Sequence, residues 1–277
     1  ISKYYPYKEL IKLKEEESLK LIEEAEIDVD KKFLLSQHLI EGQYEFDLNV
    51  ELGIKYLKQS IKGGNQESVI YYINLLIKGK IIPFNENKIK KLLDKHINKE
   101  DPIYSYLLGK LYKRKNQYKE AIKQFQISSK LGNAESYYQL GKMKMKGEGM
   151  IVDEEAGVEY FKEAISKGSS SAKYKYGRYL IKKNIDAQKG IELIFTAANN
   201  GLCKAIYYYG KLLENSNQDE KSTRVYKISA DKGHIKSLLR CHISLVKHSN
   251  TLKNREKAHH LLKKAADKGN ILAIHYY

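Results

Sequence analysis

One motif returns along the chain and limits what it can fold into: a glycine, a small residue four positions later, then an aliphatic and aromatic stretch. It reads "SKLGNAESYYQLGK" at 129–142, "SKGSSSAKYKYGR" at 166–178, "NNGLCKAIYYYGK" at 199–211, "DKGHIKSLLRCH" at 231–242 and "DKGNILAIHYY" at 267–277. The glycines are Gly64, Gly132, Gly168, Gly201, Gly233 and Gly269, followed by Ser68, Ser136, Ala172, Ala205, Ser237 and Ala273. Successive glycines lie 68, 36, 33, 32 and 36 residues apart. The long gap divides at Glu100, a degenerate glycine position that puts "YSYLLGKLY" (104–112) into register. A recurring unit of this size cannot bury its own apolar face, so it must stack on its neighbours in a tandem array.

Each unit reads as two helices. In the fourth, "AESYYQLGKMKMKG" (134–147) has apolar residues at helical spacing, and Ala156, Tyr160, Ala164 and Ile165 form one stripe in the segment that follows. Asp153 is placed to cap the second helix and Gly168 to end it in the left-handed conformation. A glycine inside the first helix, such as Gly141, costs about 1 kcal/mol relative to alanine. Its recurrence as Gly109, Gly177 and Gly210 predicts close helix–helix approach there. The consecutive Tyr207, Tyr208 and Tyr209 therefore sit on a helix and not on a strand. The expected fold is all-α, a solenoid of antiparallel helix pairs. A lead-in capping helix is expected in residues 1–27, its amphipathic part at 8–26. Repeats follow at 28–64, 65–100, 101–132, 133–168, 169–201, 202–233 and 234–269, with a partial unit at 270–277.

The stretch "KGEGMIVDEEAGVEYFKEAISKG" (146–168), after the glycine, small residue, aromatic and Leu-Gly of the same unit, resembles the Sel-1-like repeat family, relatives of tetratricopeptide repeats. The resemblance covers roughly residues 28 to 277. It implies a right-handed superhelix, first helices lining a concave groove, and assembly of complexes rather than catalysis. Tyr176-Gly177 and Tyr209-Gly210 depart from Leu-Gly, and the seventh unit has Cys241-His242 there. The second loop glycine, Gly149, is confined to the fourth unit.

Net charge is +16, of which residues 1–26 carry −2 and the remainder +18. That surplus attracts acidic proteins, phosphorylated segments, nucleic acid or anionic membrane; the alternative is a set of solvated lysine-rich helix faces. No apolar run approaches the roughly 20 residues that cross a bilayer. Cys203 and Cys241 are the only cysteines, with no CxxC pair and no Asn-x-Ser/Thr sequon in the chain. A reducing location, cytoplasm or nucleus, is expected over the lumen of the endoplasmic reticulum. A chain starting at Ile1 is expected to be a processed product or an excerpt.

No catalytic constellation, metal site or cofactor motif stands out. "GEGMIVD" (147–153) lacks the later glycine-lysine of a phosphate loop. His259 and His260 diverge by about 100° on a helix. Cys241 and His242 have no third group to orient them. The candidate partner-binding residues are the cations ten positions after the glycine position, Lys110, Lys142, Arg178 and Lys211, and the tyrosines six after it, Tyr106, Tyr138, Tyr174 and Tyr207. Offsets that differ by four place each tyrosine and its cation on one helix face. The tyrosines either pack between helices or face a ligand, and tyrosine can do both. The expected function is a non-enzymatic adaptor or scaffold holding an acidic or phosphorylated protein segment in the groove that the resemblance implies. The alternatives are single-stranded RNA binding through stacked tyrosines, and an accessory segment of a larger signalling or degradation protein.

Overall fold

The computed structural model describes residues 18–43, 46, 48–248 and 252–277. All regular structure among them is α-helix. Of the expected lead-in helix, residues 8–17 lie outside the described residues, and 18–24 are helical. The helices that follow are α1 (Val29–Glu41), α2 (Val50–Lys62), α3 (Gln66–Lys78), α4 (Glu86–His96), α5 (Pro102–Arg114), α6 (Tyr118–Lys130), α7 (Ala134–Lys146), α8 (Glu154–Ser166), α9 (Ser170–Lys182), α10 (Ala187–Asn199), α11 (Cys203–Asn215), α12 (Asp219–Asp231), α13 (Ile235–His248), α14 (Leu252–Asp267) and α15 (Ile271–Tyr276). Most are 13 residues long, about 20 Å, so each can lay one apolar stripe along its whole neighbour.

The chain divides into two compact units. One is the central segment Val69–Tyr209; the other joins Ile1–Ser68 to Gly210–Tyr277. In the central unit α5 packs on α6, α7 on α8 and α9 on α10, and each pair then meets the next through α6–α7 and α8–α9. Short turns between packed partners make these pairs antiparallel. The core runs through the junctions. Phe125 of α6 packs with Ala121 and with Leu140 and Met143 of the following α7. Phe161 of α8 packs with Tyr176 and Leu180 of α9. Both phenylalanines are fully buried, each contributing on the order of 2–3 kcal/mol in transfer free energy.

The glycines inside the first helices mark close contacts, as the recurrence predicts. A Cβ on Gly109 would lie 2.6 Å from the Phe125 ring, and one on Gly141 would lie 2.8 Å from the Phe161 ring. At Gly177 the neighbour is backbone, the Gly190 carbonyl at 2.6 Å. Asp153 caps α8 by accepting from the Ala156 N–H at 2.9 Å, and Gly168 follows that helix at φ +92°. The loop between first and second helices needs one left-handed residue. Gly147 supplies it in the fourth repeat at φ +70°, and Asn116, Asn184 and Asn217 supply it at +60°, +54° and +56° where that glycine is missing. Asparagine tolerates this conformation because its short amide bonds locally.

In the other unit, α1 packs on α2 and α13 on α14. Its two chain segments meet where Lys264 Nζ of α14 lies 3.5 Å from the Phe46 carbonyl; within the second segment, Lys268 Nζ donates to the Gly233 carbonyl at 2.6 Å. A Cβ on Gly233 would lie 2.7 Å from the Glu41 carbonyl. Cys241 is buried here, which pushes its thiol up to about 12, and His242 Nδ1 lies 2.8 Å from the Ala258 carbonyl.

Candidate functional site

The central unit assembles three of the four expected tyrosine–cation pairs. Lys110 Nζ lies 5.4 Å from the Tyr106 ring centre on α5, and Lys142 Nζ lies 5.2 Å from that of Tyr138 on α7. Arg178 lies 5.5 Å from the Tyr174 ring on α9 and donates to its hydroxyl at 3.2 Å. Each pair spans one helical turn, and the next repeat repeats it. The rings behind Lys110 and Lys142 rest on the core, Tyr106 at 6.1 Å from Phe125 and Tyr138 at 5.9 Å from Phe161. The tyrosines therefore pack between helices on one side and carry a cation on the other.

The fourth pair is different. Lys211 is exposed and falls in the other unit, while Tyr207 is half-buried. The ring that completes the row is Tyr208, which meets Tyr174 edge-on at 6.1 Å and lies 4.9 Å from Arg178. Tyr209 turns away to Phe195 of α10 at 5.2 Å. Three consecutive tyrosines point about 100° apart, so sequence spacing alone could not choose which of them faces Arg178.

Asn74 is the second residue that spacing did not single out. It occupies the cation position of the second repeat and accepts a hydrogen bond from Lys110 Nζ. Its signal was the register itself, ten positions after Gly64.

Charge along the row is unbalanced. Glu135 accepts from Ser169 Oγ at 2.6 Å. Glu148, from the glycine loop, lies 2.6 Å from Lys113 and 3.5 Å from Lys146. That loop therefore ties the fourth repeat to the third. Among the described residues, none of Lys110, Lys142 and Arg178 forms an ion pair. Burial, then Lys78, brings the Lys110 ammonium down to about 8; burial, then Lys113 and Lys146, brings Lys142 down to about 8. Burial pushes the Tyr138 hydroxyl up to about 12 and Tyr106 higher still, so both remain neutral donors at physiological pH. Among the described residues no cluster of His, Cys, Asp or Glu is arranged to hold a metal ion, and no helix is long and apolar enough to cross a membrane.

The Sel1 repeat family model matches the chain at residues 33–65, 134–169, 172–202 and 249–270. Among solved structures, the chain is similar to a Sel1 repeat protein from Oxalobacter formigenes, with 19% identity and a TM-score of 0.53 over 93% of this chain and 89% of that one. It is also similar to protein 5086 of Pseudomonas aeruginosa, with 17% identity and a TM-score of 0.56 over 74% of this chain and 84% of that one. At such identities the likeness concerns the fold. Family match, helix pairs and shared fold agree: the chain carries Sel1 repeats at these four segments and shares the helix-pair fold of a Sel1 repeat protein.

Proposed function

We propose that the chain is a non-enzymatic adaptor whose row of first-helix tyrosines and cations in the central unit holds an acidic or phosphorylated segment of a partner protein. Sel1-like and tetratricopeptide-like repeat proteins generally mediate protein–protein interaction. The observation that carries the finer reading is the charge on the row: Lys110, Lys142 and Arg178 stand in successive repeats, and among the described residues no carboxylate is bound to them. Anionic groups of a partner would form charge-assisted hydrogen bonds with these cations. A chain whose only cysteines are Cys203 and Cys241 fits a reducing compartment such as the cytoplasm or nucleus.

The row is less suited to single-stranded RNA. Base stacking needs an open aromatic face, yet Tyr106 and Tyr138 have one side toward a core phenylalanine and the other toward a lysine. The test is titration of the full chain with a labelled glutamate-rich peptide, its phosphorylated counterpart and a short single-stranded RNA at physiological salt. Lys142→Glu with Arg178→Glu is expected to abolish peptide capture with helicity unchanged, because it adds repulsion against an acidic ligand. Submicromolar RNA binding that depends on Tyr138 and Tyr174, without peptide capture, would replace this reading.

A further inference from the structure

The cations of the row differ in kind. Arg178 is exposed, whereas Lys110 and Lys142 are half-buried amines. Lys110 faces Asn74 and Lys78 from α3, Tyr106 on its own helix, and Glu135 and Lys142 from α7. Lys142 faces Lys113 from α5, Tyr138 and Lys146 on its own helix, Glu148 from the loop after α7, and Lys175 from α9. The two carboxylates in these surroundings are engaged elsewhere, Glu135 by Ser169 and Glu148 by Lys113 and Lys146. Each repeat of the row thus presents one cation that forms no ion pair with a carboxylate among the described residues, backed by an aromatic ring.

Neighbouring helices pack roughly 8–10 Å apart, and α7 touches α9 directly. An extended polyproline-II segment advances about 3.1 Å per residue and returns its side chains to one side every third residue, so it crosses one such step in about three residues. Single ammonium groups, one per step, match single carboxylates. A phosphate dianion is better met by several donors converging on one point.

We propose, building on the adaptor reading above, that the row takes an extended Asp/Glu-rich segment with one carboxylate per repeat, at about every third residue, and that Lys110 and Lys142 hold it only when protonated. A docked carboxylate favours the charged amine, so binding takes up protons wherever the free amine has lost its own. Burial and cationic neighbours place that loss at about 8 for both lysines, inside the range where the protein can be assayed.

The experiment is anisotropy titration of the full chain with acetylated, labelled peptides at physiological salt. One peptide carries glutamates at every third position (Glu-Gly-Ser-Glu-Gly-Ser-Glu), one has the same composition with the glutamates clustered, and one is a Gly/Ser peptide with a single phosphoserine. The spaced peptide is expected to bind about 10-fold tighter than the clustered one, and to weaken by roughly 100-fold between about pH 7 and about pH 9, about 10-fold for each lysine discharged. Lys110→Arg with Lys142→Arg should flatten that pH profile, whatever affinity it starts from, because guanidinium stays charged. Equal binding of spaced and clustered peptides, tighter binding of the phosphoserine peptide, or a wild-type profile as flat as the arginine variant's would overturn this inference and leave the adaptor reading standing. Failure of every acidic peptide to bind at either pH would overturn both.

Discussion

The Ser136 hydroxyl donates to Ser128 Oγ at 2.7 Å, and Ser128 in turn donates to the Pro102 carbonyl at 2.6 Å. The arrangement returns as Ser60 and Ser68, whose hydroxyls are 2.7 Å apart, with Ser60 donating to the Val29 carbonyl at 2.8 Å. Each pair joins the last turn of a second helix to the first turn of the next repeat, eight positions on. Four further junctions fill the same slot with Ala164 and Ala172, Ala197 and Ala205, Ser229 and Ser237, or Ala265 and Ala273, all of them fully buried, while the degenerate junction at Glu100 has His96 and Tyr104 there. Serine faces serine and alanine faces alanine, since a buried hydroxyl left without its partner costs about 1–3 kcal/mol.

That matching predicts non-additive mutational effects. Ser128→Ala alone is expected to destabilise the chain by about 1–2 kcal/mol, because the Pro102 carbonyl and the Ser136 hydroxyl both lose a partner. Adding Ser136→Ala should recover part of the loss, with a coupling of about 0.5 kcal/mol or more in a double-mutant cycle. Urea unfolding of the four proteins measures it. Strictly additive midpoints would show that the two hydroxyls act independently.

Size is restricted at the same slot. Ala172 and Ala205 have no exposed surface. Ala172→Leu or Ala205→Leu should therefore lower stability by about 1–3 kcal/mol through overpacking, read as a lower denaturation midpoint. Unchanged midpoints in both variants would mean the slot can open.

At Gly177 two expectations oppose each other. Alanine is the better helix former by about 1 kcal/mol, but its Cβ would lie 2.6 Å from the Gly190 carbonyl, which belongs to a packed backbone. The clash should win, giving Gly177→Ala a net loss of about 1–3 kcal/mol. A variant more stable than the parent in thermal melts would show that α9 and α10 can separate without penalty.

Lys142 should weaken the fold that displays it. Its ammonium is brought down to about 8 in the folded chain, against about 10.4 when unfolded. Below pH 8 both states are charged and the folded one bears the full burial penalty. Between about 8 and 10.4 the unfolded state binds the extra proton, so this residue makes stability rise with pH. Lys142→Met is then expected to gain about 1–3 kcal/mol at neutral pH and to lose that part of the pH dependence, while impairing peptide capture. Urea midpoints at neutral and alkaline pH check it; a less stable methionine variant would contradict it.

What the sequence disclosed followed from strict periodicity. Gly109, Gly141 and Gly177 announced their contacts because a glycine inside a helix is unfavourable unless something presses on it, and Asp153 announced a cap because its position is stereotyped. Register alone placed Lys110 beside Tyr106 and Lys142 beside Tyr138. The choice of Tyr208 over Tyr207 was hidden, because it depends on how α11 is rotated against α9, a matter of a hundred degrees that three identical residues cannot encode. Asn116, Asn184 and Asn217 were hidden too, since they do the work of a loop glycine under another identity. The division into two units was equally unreadable, because its boundaries, between Ser68 and Val69 and between Tyr209 and Gly210, fall inside helices that look continuous in sequence.

The serine and alanine pairing also says where such an array can be cut and rejoined. Ser128 lies on α6 and Ser136 on α7, so the matched residues straddle the boundary that the repeat glycine Gly132 marks. A module excised from glycine to glycine carries half of one pair and half of another, and its transplant would set a hydroxyl against a methyl wherever a serine half meets an alanine half. A module excised between the left-handed loop residues, from Asn116 to Gly147, keeps Ser128 and Ser136 together. The natural unit of exchange in this chain is thus a second helix with the first helix that follows it, half a period out of phase with the repeat visible in the letters.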